Sequence, residues 1–206
     1  HCACRALASR PRAPIDQRIQ SMKHILKLLA LMLLSGSAAH AHVVLDQRTA
    51  PTGSYYRGAL RVGHGCDGSA TVAVTVRIPD GMRGAKPMPK AGWTIERHVE
   101  KLTQPYDSHG KRVTDDVVAI TWRGGPLPDA FFDEFGIQMQ LPATPGPLWF
   151  KVLQQCEKGE IDWATVRATG TSTRGIKAPA ALLEVTPAAA PSAPPAAPAG
   201  VSEHKH

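Results

Sequence analysis

From His42 to Pro187 the apolar residues recur at nearly every second position, and this alternation constrains the fold more than any other feature of the chain. Val72, Val74, Val76 and Ile78 alternate with Ala73, Thr75 and Arg77; Ile137, Met139 and Leu141 alternate with Gly136, Gln138 and Gln140; Arg57 and Arg61 punctuate the run from Tyr56 to Val62. Successive side chains of a strand point to opposite faces, so each run has one apolar face and one that meets water. Strands are expected at 42–45, 56–62, 72–78, 93–99, 117–122, 134–141, 148–153, 161–168 and 182–185, about nine in all. Turn signals separate them, among them Cys66-Asp67-Gly68, Pro79-Asp80-Gly81, Ser108-His109-Gly110, Gly124-Gly125-Pro126 and Pro145-Gly146-Pro147. No stretch of this region sustains a helical period with caps for three turns, and Phe131-Phe132-Asp133-Glu134 after Pro128 has room for one short turn. Many short strands with frequent turns predict an all-β, antiparallel sandwich of immunoglobulin or fibronectin shape.

The chain before this region reads differently. Met22-Lys23-His24-Ile25-Leu26-Lys27 opens a charged segment, the apolar run Leu28 to Leu34 follows, and Ser35 to Ala41 supplies small residues up to an A-x-A site. Residues 22–41 are therefore expected to be a cleaved export signal, and the Met-free segment 1–21 an upstream or mis-started stretch. The apolar run falls short of the ~20 residues that cross a bilayer, so no membrane anchor is expected in the mature chain. After Pro187 the segment 188–206 is rich in Ala and Pro, has little to bury, and is expected to be an extended tail ending in Glu203-His204-Lys205-His206. Residues 42–187 are of ordinary size for one domain.

Processing changes the charge and cysteine arguments. Six of the 24 Lys and Arg and one of the 17 acids precede His42, leaving 18 basic against 16 acidic residues. The net +7 of the whole chain thus falls to +2, and basicity does not argue for a nucleic-acid partner. Cys2 and Cys4 fall in the upstream segment. Cys66 and Cys156 remain, and in an oxidising periplasm they make one disulfide or, as the alternative, act as thiol ligands.

No G-x-S-x-G elbow, phosphate-cradling glycine loop, H-E-x-x-H or C-x-x-C is present in 42–187, so conventional catalysis has no support. Metal chemistry has more. Cleavage after Ala41 makes His42 the first residue, with a free amine beside its own imidazole Nδ1. The two close a chelate ring on a cation, and Cu(II) leads the divalent first-row metals in affinity for such nitrogens. Cleavage after Ala39 would instead leave His42 in third place, a different chelator. His64 at a strand end, His98 in a polar strand and His109 in a turn read as surface residues rather than ligands. Met82 and Met88 flank turns, where packing under a loop competes with a soft-sulfur role for Met88.

Several motifs together resemble the YcnI family: His42-Val43-Val44-Leu45, Gly53-Ser54-Tyr55, Gly65-Cys66-Asp67-Gly68, Ile78-Pro79-Asp80-Gly81, Lys86-Pro87-Met88-Pro89-Lys90-Ala91-Gly92-Trp93, Ile120-Thr121-Trp122, Asp133-Glu134-Phe135 and Gln155-Cys156 with Trp163. The resemblance covers about Ala41 to Pro187. It implies an exported copper-binding β-sandwich in which Cu(II) is held by a monohistidine brace, a Glu carboxylate and a neighbouring Trp. Carried over by position, the brace falls on His42, the carboxylate on Glu134 and the indole on Trp163, with Trp149 and Trp122 as competitors for the last. Asp133 is expected to face the other side of its strand from Glu134.

The expectation is a periplasmic Cu(II) chaperone or scavenger without enzymatic activity, whose partners are copper and other periplasmic or membrane copper-handling proteins. His204 and His206 are expected as auxiliary copper ligands or as a solvated end. Two other readings stand beside it. One is a copper-dependent oxidative enzyme of the type with an N-terminal His, which would need a second His in its brace. The other is a metal-free immunoglobulin-like envelope module.

Overall fold

Twelve strands make up the fold: β1 (Val44–Leu45), β2 (Thr49–Pro51), β3 (Tyr55–Val62), β4 (Thr71–Arg77), β5 (Arg83–Pro87), β6 (Trp93–Ser108), β7 (Lys111–Leu127), β8 (Asp133–Gln140), β9 (Gly146–Phe150), β10 (Val152–Cys156), β11 (Glu160–Trp163) and β12 (Ala181–Thr186). They belong to a computed structural model that describes residues 42–189. The leader 22–41, the segment before it, and His204 and His206 of the tail lie outside the described residues. A four-stranded sheet in the order β1-β3-β8-β5 and a five-stranded sheet in the order β11-β10-β4-β7-β6 hold most of the strands; β2-β12-β9 form a third, smaller sheet. No helix occurs among the described residues.

The all-β sandwich expected from the alternation is what the chain forms. Its strands number twelve and not about nine, for three local reasons. The run expected at 148–153 is two strands, β9 and β10, divided at Lys151. The segments Thr49–Pro51 and Arg83–Pro87 carry Pro or Gly and read as turns, yet both pair, β2 along β12 and β5 along β8. The β2–β12 pairing is parallel, where every other strand pair is antiparallel. Beyond Pro128 there is a turn and no helix, closed by the Phe131 N–H on the Pro128 carbonyl at 3.0 Å.

Alternation places the core. In β3, Tyr56, Gly58, Leu60 and Val62 are buried while Tyr55, Arg57 and Arg61 are exposed; in β8, Phe135, Ile137 and Met139 turn inward. They meet Val74, Val76, Ile120 and Trp122 of the facing sheet, where Trp122 and Trp93 each stand edge-on to Phe135. The alternation expected through 72–78 is broken at its start. The β4–β7 register shifts between Thr71 and Ala73, which leaves Val72 half-buried and turns fully buried Thr71 to the side of Gln154. A bulge of this kind re-aims side chains, and here it carries a hydroxyl into the corner described next.

Candidate metal site

Edge strands of the two large sheets, β1 and β11, end at one corner of the sandwich. His42 enters β1 there and Trp163 closes β11. The His42 imidazole stands edge-on to the Trp163 indole, with ring centres 6.1 Å apart and planes at 68°. Trp163 is buried, and its Nε1–H donates to Gln154 Oε1 at 2.9 Å. Pairing of β10 with β11 sets Ile161 opposite Gln154 and Trp163 opposite Val152, so indole and amide meet diagonally on the inward face. Gln154 is fully buried, and its Nε2 donates to the His64 carbonyl at 2.6 Å and to Thr71 Oγ1 at 2.8 Å. A buried amide is tolerable only when its donors and acceptor are used, and all three partners of Gln154 lie in this corner.

The turn that carries His64 is pinned from several sides. Cys66 and Cys156 form a disulfide with Cα atoms 5.9 Å apart, closing a loop between residues 90 apart in sequence. This is the structural pairing expected from an oxidising compartment, and it removes both thiols as ligands. Cys66 and Ser69 exchange backbone hydrogen bonds around Asp67 and Gly68, both at positive φ, the conformation of a two-residue type I′ hairpin. The Gly65 N–H donates to Asp129 Oδ1 at 2.9 Å, and a Cβ at Gly65 would collide with the Ser69 carbonyl oxygen, so only glycine fits.

His64 is half-buried, not the surface residue its strand-end position suggests. Its ring also stands edge-on to Trp163, at 6.0 Å and 68°. Nδ1 is hydrogen-bonded to the Gly65 carbonyl oxygen, which can only accept, so the proton sits on Nδ1. Nε2 is buried and has no hydrogen-bond partner. Sequence reasoning passed over His64 and Gln154 alike. The one available signal was position: His64 lies two residues before a cysteine whose partner follows Gln154 by two.

Glu134 occupies a different place. Its Oε1 accepts from Arg61 Nε at 3.1 Å and Nη2 at 3.0 Å, in a half-exposed ion pair. The register sets Arg61 between Val44 of β1 and Glu134 of β8, so Glu134 is two strands from β1, ~10 Å at ordinary inter-strand spacing. Glu134 and exposed Met88 line a groove of about 460 Å³, whereas His42 lines another of about 620 Å³ with Arg48, Arg174 and Glu184. Asp133 turns away from Glu134, as expected, and pairs with Lys90 Nζ at 2.6 Å. His42 and Trp163 are thus brought together, and Glu134 is held apart by Arg61.

The remaining candidates lie elsewhere. His98 Nε2 meets Thr121 Oγ1 at 3.1 Å on β6, and His109 is exposed in the β6–β7 turn beside the Tyr55 hydroxyl. Met82 is buried in the core. Trp122 lies at the centre of the core against Phe135, and Trp149 sits on β9; neither is the indole at His42. No group of three or more His, Cys, Asp or Glu side chains placed to hold one ion occurs among the described residues.

A family model described as "Domain of unknown function (DUF1775)" matches residues 42–185; it is the domain of the YcnI-like proteins that the sequence resembles. No curated protein matches. Among solved structures, the chain is similar to an uncharacterized protein from Nocardia farcinica whose crystal structure reveals an immunoglobulin-like fold. The match has 23% identity and a TM-score of 0.53 and covers 70% of this chain and 97% of that one. At that identity the likeness establishes the fold.

Proposed function

The chain belongs to the DUF1775 family, and from that premise we propose that it is an exported copper-binding protein, a Cu(II) chaperone or scavenger of the periplasm, whose metal is held at the corner of His42 and Trp163. The observation that carries the reading is the His42 imidazole packed edge-on to buried Trp163 at the first residue of the family domain. Once the chain is cut before His42, its amine and Nδ1 form a five-atom bite suited to Cu(II). The His42 imidazole and its freed amine are the donors that fit the ion there, and the orphaned Nε2 of His64, which packs on the same indole, is the kind of atom that a water or an ion satisfies.

This chain's own residues would do three things there. His42 supplies two nitrogens. Trp163, fixed by Gln154, covers one side of the imidazole and limits water. Glu134 is the oxygen donor that the resemblance supplies, and it reaches the metal only by leaving Arg61. When bound, copper would give the protein a cargo to carry; exchange with other copper-handling proteins is the function such a site serves.

The test is titration of Cu(II) into protein whose first residue is His42, beside the same protein retaining Ala41. Tight binding by the first and at least tenfold weaker binding by the second is expected, because only the first has the amine. Equal binding by both would sink the brace. Absence of binding by both would favour the metal-free immunoglobulin-like module, which the Arg61–Glu134 pairing also suits, since that carboxylate already has a partner. Peroxide-driven turnover of a polysaccharide by the loaded protein would favour the oxidative enzyme instead.

A further inference from the structure

We propose that the outer face of the four-stranded sheet is a docking groove for an extended acidic segment of a partner protein, held by Arg57 and Lys86 beside a floor of Ala59 and Gly136. The groove is the one of about 460 Å³ next to Glu134, not the one that His42 lines, and its occupancy does not depend on copper.

Pairing sets the outward residues of three strands in rows. Arg57 of β3 stands opposite Gln138 of β8, which stands opposite Lys86 of β5, so two cations flank one amide on a single line across the sheet. All three side chains are exposed and line the groove. The next row is nearly bare, with Ala59 opposite Gly136. Gly136 lies against Met88, and a Cβ there would come within 3.1 Å of the Met88 Cβ and Cε. A trough results, walled by Pro87-Met88-Pro89 on one side and by Asp46-Gln47 on the other.

The acids of the trough are already engaged and its cations are not. Asp46 Oδ1 accepts from the Ala59 N–H at 2.7 Å, and Glu134 is held by Arg61. Neither Arg57 nor Lys86 has a carboxylate partner among the described residues, where the ion pairs are Arg61–Glu134, Lys90–Asp133, His98–Glu96 and Arg112–Asp107. Glu134 stands four residues along β8 from Gln138, ~13 Å at ordinary strand rise, and does not serve the cationic row. The complement that this face lacks is therefore anionic.

Its dimensions suit a peptide. From β1 to β5 there are three inter-strand gaps, ~14 Å, which is the length of about four extended residues. Two acids at alternate positions of such a segment stand ~7 Å apart on one side. Arg57 and Lys86 are anchored two gaps apart, ~10 Å, and their long stems are able to close on both acids. The bare row lets a main chain approach the sheet, and half-exposed Met88 offers a flexible apolar contact to a neighbouring side chain.

The experiment is fluorescence anisotropy of a labelled, capped hexapeptide, Glu-Ser-Glu-Ser-Leu-Ser, titrated with the chain from His42 to His206. Wild-type, Arg57→Glu, Lys86→Glu and Met88→Ala forms are compared, with Lys101→Glu on the exposed part of β6 as control. Expected are saturable binding, at least about tenfold weaker binding in each charge reversal and in ~0.5 M salt, and no change in the control. Met88→Ala should weaken binding about threefold and keep the salt dependence. Amide shifts on adding peptide should cluster at Ala59, Gly136 and Gln138. The substituted side chains are exposed, so unfolding temperatures should stay within about 2 °C of wild type. Equal binding of a peptide with Lys in place of Glu, or wild-type affinity in both charge reversals, would overturn the proposal. Full displacement of the peptide by an equal concentration of glutarate or inorganic phosphate would overturn it in favour of a small-anion site. A dimer formed without peptide and lost in Arg57→Glu would overturn it in favour of a second copy of this chain. No saturable binding at millimolar protein would overturn it outright.

Discussion

Gln154→Leu is the substitution that most directly tests how the corner is held. Leucine matches the volume but takes away one acceptor and two donations, with Trp163 Nε1, the His64 carbonyl and Thr71 Oγ1 as the partners left behind. Thr71 can turn its hydroxyl toward Cys156 Sγ, 3.8 Å away, so two groups are orphaned in earnest. At about 1 to 3 kcal/mol for each buried orphan, the loss is ~2 to 6 kcal/mol. Exchanging an amide for apolar surface returns about 1.5 to 3 kcal/mol. Taking the middle of each range, the net cost is ~2 kcal/mol, which for a domain near 150 residues corresponds to ~4 to 8 °C in unfolding temperature. Gln154→Glu should be worse, since it keeps the acceptor for Trp163 but sets a carboxylate against the His64 carbonyl in a buried site.

Urea unfolding followed by tryptophan fluorescence measures this, with an unchanged slope as the condition for comparing stabilities. Gln140→Leu is the control, because Gln140 is half-buried at the end of β8 with one 3.3 Å contact to the Gly53 carbonyl and should move by about 0.5 kcal/mol or less. A Gln154→Leu protein as stable as wild type within that margin refutes the reasoning: the amide would then not be what satisfies Trp163 and His64.

Other outcomes follow from the same geometry. Replacing Cys66 and Cys156 by serine should cost up to about 4 kcal/mol, the chain-entropy value for so long a loop, and unreduced, denatured protein should show no free thiol from this pair in a colorimetric thiol assay. Glu134→Gln should weaken Cu(II) binding more than Asp133→Asn, and Arg61→Ala should strengthen it only while Glu134 is present; a double-mutant cycle with no coupling between Arg61 and Glu134 would remove Glu134 from the site. Metal-free stability should change by less than about 1 kcal/mol in Glu134→Gln, because the Arg61 pair is half-exposed. Burial, together with the hydrogen bond and charge of Asp116, pushes the Tyr106 hydroxyl up to about 12. The unfolded phenol loses its proton first, so the Tyr106 contribution to stability is intact below pH ~10 and fades as pH rises toward 12. Absorbance titration at 295 nm should show a tyrosinate phase near pH 12 that Tyr106→Phe removes, leaving the still later phase of Tyr56, whose hydroxyl burial and the Asp46 charge push higher.

The alternation was legible where a strand has one wet face and one dry one, as in β3 and β8, and it located their core residues individually. It failed where neither face is dry. The outer parts of β6 and β7 carry Glu100, Lys101, Asp115 and Asp116 and are mostly exposed, so their pairing rests on backbone hydrogen bonds and on the Ser108-His109-Gly110-Lys111 turn, with His109 and Gly110 at positive φ. No apolar period marks such an arm. Strand β5 was hidden for another reason: of its five residues only Ala85 is buried, and Gly84 and Pro87 read as turn residues. The parallel partner of β12 had no local signal, because parallel pairing joins segments more than 130 residues apart.

The site divides along the same physical line. The place of His42 could be read from the residues before it, and that of Trp163 from the resemblance, because each is a matter of identity at a position. The condition of His64 could not, because it is made by residues far away in sequence: Trp163 supplies the ring it packs on, Gln154 holds its carbonyl from 90 positions away, and the Cys66–Cys156 bridge brings those strands together. A histidine between two glycines reads locally as exposed and loose. Gly65 instead lets the backbone pass close to Ser69, and that close passage accompanies the inward turn of the half-buried ring. If the disulfide is what maintains this passage, reduction should loosen the His64 turn before it melts the sandwich. Hydrogen exchange at Gly65, Ser69 and Glu157, whose N–H groups bond to Asp129, Cys66 and Ala70, should then quicken in reduced protein while Leu60 and Ile137 of the facing sheet stay protected. Uniform quickening across both sheets would mean that the disulfide supports the whole fold and has no special hold on the corner.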